Sequence, residues 1–270
     1  MFEIMTEQNE VHDTKHDHEQ HENHEALFNQ EWEKSQLNQI IKGFKDGRPL
    51  SELVAELPGF KESFQHPLDC LDCADGRVCS GRKLGLAGQG ILLGADDQAK
   101  LDAKIAEIEN LTISGHENCG AAGIACQGAP DSDEQGYAYT KELAARNGRP
   151  YKEIHKDEFR CAVHNERCLV LEGTGRFDVA NLQGFPGQFI SSAEYFGLSE
   201  EYQMTEAKAL IGIALSSHSF GERFDQENPF YLLISADNQE QLDKMKSWAE
   251  KVAADYEGRV KVDAFIAPEK

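Results

Sequence analysis

No run in this 270-residue sequence is apolar over the roughly 20 residues that a bilayer-spanning helix needs. Positive charge is scarce too. Lys and Arg number 27 against 48 Asp and Glu, a net charge of −21. Such a surface repels phosphate backbones and anionic membranes, so neither nucleic acid nor a membrane is expected as a partner. A small neutral substrate is indifferent to that field. The opening "MFEIMTEQNE" has no basic start and no apolar core of a signal peptide. Seven cysteines, an odd number, do not suit a secreted disulfide framework. The expectation is a cytoplasmic protein whose thiols are free to bind metal.

What is present divides the chain into three parts. Residues 1–25 include "VHDTKHDHEQHENHE", with His12, His16, His18, His21 and His24 and no apolar periodicity to build a core. This is read as a disordered, His-rich acidic tail, solvated and able to pick up zinc or nickel adventitiously. From Trp32, "EWEKSQLNQIIKGF" has helical spacing, and "PLSELVAEL" offers Ser51 as the N-cap of a short second helix.

The centre alternates between strand and helix. Leu68 to Cys73 reads as a strand, "GQGILLGA" as a second and "NLTISG" as a third, with the amphipathic "DDQAKLDAKIAEIE" between them. After the break "QGAPDSDEQG", "YTKELAARNGRPY" reads as helix and "RCLVLEGTG" as strand. The helix "TEAKALIGIALSSHSF" precedes a closing βαβ unit, "FYLLISAD", "NQEQLDKMKSWAEKVAADY" and "RVKVDAFIA". The predicted fold is α/β: a mostly parallel sheet flanked by helices, with N-terminal helices and a C-terminal βαβ extension. Residues 26–185 are assigned to the first domain and 186–270 to a C-terminal α/β subdomain. Sites in such sheets form at the carboxyl ends of strands.

At one of these strand ends stands "LDCLDCADGRVCSG". In an extended strand Cys70 and Cys73 point to opposite faces, which disfavours a Cys-x-x-Cys knuckle. Cys70 and Cys79 are read as structural bystanders. Cys73 is followed by Asp75 and Arg77, and "ISGHENCGAAG" supplies His116 and Cys119 directly after the third strand. Two thiolates and one imidazole make three zinc ligands with a fourth position free, the pattern of a catalytic site. Cys161, His164 and Cys168 form a second cluster without an evident fourth ligand. "GTGR" and "GQGILLG" lack the Lys and Ser/Thr of a P-loop.

The pair Cys73-x-Asp75-x-Arg77 and Gly115-His116-x-x-Cys119-Gly120 resembles the motifs of the β-class carbonic anhydrases over residues 65–130. The resemblance implies an α/β fold, a dimer, and one zinc per chain on Cys73, His116 and Cys119. It implies reversible hydration of carbon dioxide to bicarbonate by a zinc-bound hydroxide. Asp75 would orient the water, or itself take the fourth position on zinc in a closed resting site, and Arg77 would hold Asp75. Relatives with the same site hydrolyse carbonyl sulfide or carbon disulfide, and a non-catalytic zinc-binding relative is a third reading. Gln89 and Gln188 are candidates for the substrate-orienting glutamine of the family. The C-terminal βαβ unit is extra to its pattern.

Overall fold

The computed structural model describes residues 13–217 and 219–269, with side chains from residue 24 onward. Three helices come first: α1 (Asp13–Gln36), α2 (Gln39–Lys45) and α3 (Leu50–Ala55). Then follow β1 (Cys70–Cys73), β2 (Lys83–Leu86), α4 (Ala95–Glu107), β3 (Thr112–His116), α5 (Gly120–Ala125), α6 (Ser132–Arg146) and β4 (Tyr151–Ile154). The last part runs β5 (Cys168–Glu172), β6 (Gln188–Ser191), α7 (Glu200–Ala214), β7 (Phe230–Ala236), α8 (Gln239–Ala254) and β8 (Val260–Ile266). Among the described residues, no helix is long and apolar enough to cross a membrane.

All strand pairs are parallel, as the α/β reading expects, but they form two four-stranded sheets, β2-β1-β3-β4 and β6-β5-β7-β8. The two orders are the same order. In each half the first two strands are joined without an α-helix. Helices then carry the chain across to the third and fourth strands, α4 and α6 in one half and α7 and α8 in the other. The chain therefore contains an internal structural repeat.

The two sheets meet at β2 and β6. Ser192 N donates to Gly85 O at 2.7 Å, Ser192 Oγ accepts from Gly85 N at 3.1 Å, and Ile190 N donates to Ala74 O at 2.9 Å. Gly85 has to be glycine for this approach, because a Cβ there would collide with the Ile190 carbonyl. Glu206 of α7 clamps the seam from below. It accepts from Ala87 N at 2.6 Å and from Ser191 Oγ at 2.5 Å, while Tyr202 donates to it at 3.2 Å.

One apolar core crosses the seam, packing Cys73, Ala74 and Cys119 with Phe189, Leu210 and Trp248. A second, Ile40, Leu53 and Val54 with Val170, Leu233 and Phe265, fixes α2 and α3 onto the second sheet. A third packs Leu71 and Leu84 against Leu101 and Ile105 of α4 and Leu143 of α6.

Several sequence expectations need correction. The division at 185/186 cuts the second sheet, since β5 begins at Cys168 and pairs with both β6 and β7. The second strand is "KLGL", not "GQGILLGA". Gly88 and Gln89 both have φ +53, so the backbone turns left-handed where extension was expected. The helix read through "EWEKSQLNQIIKGF" breaks at Asn38, which caps α2 by accepting from Ile40 N. Pro49, not Ser51, precedes the first residue of α3. In the tail expected to be disordered, residues 13–25 are helical as the start of α1, and residues 1–12 lie outside the described part.

Candidate metal centre

Strand β1 ends at Cys73 and strand β3 at His116, so neighbouring parallel strands deliver both to the same edge. Cys119 follows three residues later, at the start of α5. The three ligand atoms lie within 4.8 Å of one another, and the two sulfurs are 3.9 Å apart. Cys73, His116 and Cys119 are 5 %, 4 % and 7 % exposed, so water alone does not solvate them.

The histidine tautomer follows from its partner. His116 Nδ1 lies 2.7 Å from the Glu117 carbonyl, a contact that requires Nδ1 to carry the proton. That leaves Nε2 as a lone-pair donor, and it is buried with no hydrogen-bond partner. An orphaned buried nitrogen beside two thiols costs free energy unless something electrophilic takes its lone pair. A zinc ion fits this donor set, two soft sulfurs and an imidazole.

The thiols differ in acidity. A hydrogen bond from Cys119 holds Cys73 well below the usual thiol range, against the effect of burial, with His116 assisting. The same contact pushes Cys119 up, burial adds to this, and the amides of Ala121 and Ala122 oppose it. Gly88 N donates to Cys73 Sγ at 3.3 Å, which the left-handed turn after β2 makes reachable.

Asp75 and Arg77 leave β1 as a closed pair. Arg77 donates to the carboxylate from its backbone N at 2.9 Å, from Nε at 3.1 Å and from Nη2 at 2.7 Å. Burial disfavours the charge on Asp75, but Arg77, His164 and His116 outweigh it and hold the carboxyl well below its ordinary value. The Phe159 ring packs over Arg77 at 5.2 Å. The loop is braced by Lys83, a buried residue of β2 whose Nζ donates to Asp75 O at 2.6 Å and Val78 O at 3.0 Å. Asp72 accepts from Ser80 and from Ser114, tying β1 to β3 below the site.

A cavity of about 660 Å³ opens onto Cys73, Asp75 and Arg77. Its walls include Leu92, Ala121, Val163, Phe189, Leu210 and Ile213, with His24, Lys156 and His164 also lining it. His116 and Cys119 line a smaller void behind, of about 10 Å³, together with Gln89.

The structure brings Cys73, Asp75, Arg77, His116 and Cys119 together. It separates others. Gln89 Nε2 is buried and unpaired but lines only the small void, and Gln188 lines neither cavity, its neighbour Phe189 facing the larger one. Neither Cys161 nor Cys168 joins His164 in a donor cluster among the described residues. His164 instead gathers with Asp75 and Glu166, its Nδ1 3.2 Å from Glu166. Burial opposes a charge on His164, and Glu166 and Asp75 raise its pKa all the same. Cys168 sits inside β5, and Cys79 donates to Gly81 O. Burial pushes the Cys70 thiol up to about 12, as befits an inert side chain. Sequence reasoning missed Lys83 and Glu206. A lysine inside a short apolar strand was the available signal for the first.

No protein-family model matches the chain, and neither does any curated protein or solved structure compared with it.

Proposed function

We propose that this chain is a zinc-dependent lyase that reversibly hydrates carbon dioxide to bicarbonate and a proton, using a site of the β-class carbonic anhydrase type. The observation that carries the reading is the orphaned His116 Nε2 beside the Cys73 and Cys119 thiols, with the Asp75–Arg77 pair on the cavity side. Zinc held by these three residues would supply Lewis acidity, and because two thiolates cancel its charge a water there would ionise above the value of about 7 found with three histidines.

The remaining work falls to the chain. Asp75, kept ionised by Arg77, accepts a hydrogen bond from a water in the cavity and so fixes its lone-pair direction. Arg77 sets the aim of Asp75 through two parallel contacts, Nε to Oδ1 at 3.1 Å and Nη2 to Oδ2 at 2.7 Å. The wall of Leu92, Phe189, Leu210 and Ile213 holds an apolar substrate without competing hydrogen bonds. The net charge of −21 leaves a neutral substrate unhindered and disfavours retention of an anionic product.

A second reading, hydrolysis of carbonyl sulfide or carbon disulfide at the same site, is favoured by one observation. The cavity wall of Leu92, Phe189, Leu210 and Ile213 is apolar, which suits the more polarisable sulfur analogues.

The test is stopped-flow hydration of carbon dioxide at pH 7 and pH 8.5, on zinc-loaded full-length protein with Cys73→Ala as control. Turnover that rises with pH and vanishes in the control is expected. A protein that retains zinc but turns nothing over would overturn the hydration reading, and sulfide release would then decide between the sulfur substrates and a binding role.

A further inference from the structure

The orphaned lone pair of His116 calls for a cation. Elsewhere the molecule holds the reverse case, buried donors without an acceptor. They gather where α1 packs against the loop that follows α7. Ser219 is 8 % exposed, and its hydroxyl has no hydrogen-bond partner. Arg223 Nη2 donates to Glu25 at 3.0 Å and to Asn29 at 2.7 Å, but its Nη1 is buried and unpartnered. Arg167 is fully buried and its Nε and Nη1 are unpartnered as well.

Aromatic rings hold these side chains in place. The Arg167 guanidinium lies 4.1 Å from the Trp32 ring and 5.4 Å from that of Phe224, and the Arg223 guanidinium lies 5.9 Å from Trp32. Phe28 and Trp32 pack edge-on against Phe220, with centroids 6.0 and 5.1 Å apart. A ring face attracts a guanidinium but gives its N–H groups no in-plane acceptor. Burial pushes the Arg167 pKa down to about 10, which leaves it charged at neutral pH. Two cations on one indole thus make a locally positive region in a chain of net charge −21.

A cavity of about 150 Å³ opens at this junction, lined by Ser219, Phe220 and Arg223 on one side and by His24, Glu25 and Phe28 of α1 on the other. That is room for a few waters or for one small oxyanion. Arg167 does not line it and acts on it through charge alone.

We infer that this cavity binds a small oxyanion that carries a proton, with hydrogenphosphate as the probe of the class. Arg223 Nη1 and the Ser219 hydroxyl donate to its oxygens, and the guanidiniums balance its charge. Two carboxylates on the lining, Glu25 and Glu222, set the selection. They repel a fully ionised oxyanion such as sulfate, whereas an oxyanion that keeps a hydroxyl can donate to them. None of these residues belongs to the donor trio, so the inference does not depend on the metal-centre reading. An anion held here joins α1 to the loop after α7, beside His24, which also lines the larger cavity.

The test is calorimetric titration of the zinc-loaded full-length protein with sodium phosphate at pH 7, with ionic strength fixed by sodium chloride. One saturable phosphate per chain is expected, with sulfate roughly tenfold weaker or worse. Ser219→Ala removes a buried hydroxyl that has no partner. Its thermal midpoint without phosphate should therefore equal or exceed that of the native protein, while phosphate affinity falls roughly threefold to tenfold. Arg223→Gln should lower the affinity about tenfold or more, with circular dichroism checking the fold. Cys73→Ala should bind phosphate as the native protein does, and so should metal-stripped protein. Absence of saturable binding would overturn the inference, as would native affinity in both Ser219→Ala and Arg223→Gln. Binding lost in Cys73→Ala but kept in Ser219→Ala would move the anion to the metal centre and overturn it too. Sulfate binding as tightly as phosphate would overturn the choice of a protonated oxyanion.

Discussion

After β1 the chain reads Ala74-Asp75-Gly76-Arg77, and after β5 it reads Gly173-Thr174-Gly175-Arg176, in two sheets of the same strand order. Both arginines find a carboxylate. Arg77 takes Asp75 at 2.7 Å from its own loop, whereas Arg176 takes Asp237 at 2.8 Å from the end of β7. β7 is the repeat's counterpart of β3, so Asp237 follows β7 at the sheet edge where His116 closes β3. The second edge has no thiols. Its buried carboxyl, Glu172, accepts from the hydroxyl and amide of Thr174 and the amide of Gly175, and burial raises its pKa despite those bonds. A cavity of about 1090 Å³ opens there as well. Arginine–carboxylate pairs and a cavity are therefore features of the repeated architecture. What sets the first edge apart is its donor trio, Cys73, His116 and Cys119.

The largest effect that would sharpen this contrast is loss of the metal. Cys73→Ser should abolish stoichiometric zinc retention after dialysis, measured by elemental analysis, whereas Arg176→Ala should leave it unchanged. Equal losses in both would erase the distinction between the two edges. The arginines themselves come next. Arg77→Ala strands the buried Asp75 charge and should cost about 3–5 kcal/mol in denaturant unfolding, with activity reduced roughly 10–100-fold. Arg176→Ala breaks a pair whose acid is 42 % exposed and should cost up to about 1 kcal/mol.

Between the two edges sits Glu206, whose pKa burial raises to about 7 from an unfolded value of 4.5. The folded protein keeps this proton where the unfolded chain has lost it. Its contribution to stability is full below about pH 4.5, falls as pH rises to about 7, and is then constant. The change is about 3 kcal/mol by the 1.36 kcal/mol per unit conversion. Unfolding curves across pH 4.5–7 should show that slope, and Glu206→Gln should flatten it. Asp75 acts oppositely. Its depressed pKa gives stability above its unfolded value that is lost as pH falls below about 4. At the seam, Gly85→Ala should cost roughly 1–3 kcal/mol by forcing β2 away from Ile190.

Much of the first edge was legible in the sequence because each candidate ligand stands at or just past the end of an apolar strand, where parallel sheets gather their side chains. The internal repeat was not. Its second copy keeps only a glycine and an arginine after β5, too little for sequence matching, and the shared part is strand order, which depends on long-range pairing. β4 was missed because "YKEI" is an edge strand with alternating charge. β2 was misplaced because its lysine is buried through hydrogen bonds to Asp75 and Val78, partners that periodicity does not reveal. The start of α1 was read as coil for want of an apolar stripe. Its backbone is helical, and the apolar contacts that tie the helix down come later, at Phe28 and Trp32.

The junction of β2 with β6 has a consequence for dilution. Two matching halves usually hold each other by mass action, and their union then weakens as the protein is diluted. Here a single polypeptide carries both halves, so the closing of Ser192 on Gly85 is a first-order event. The Asp75 loop, whose Ala74 carbonyl is held by Ile190 N, is braced at nanomolar concentration as firmly as at millimolar.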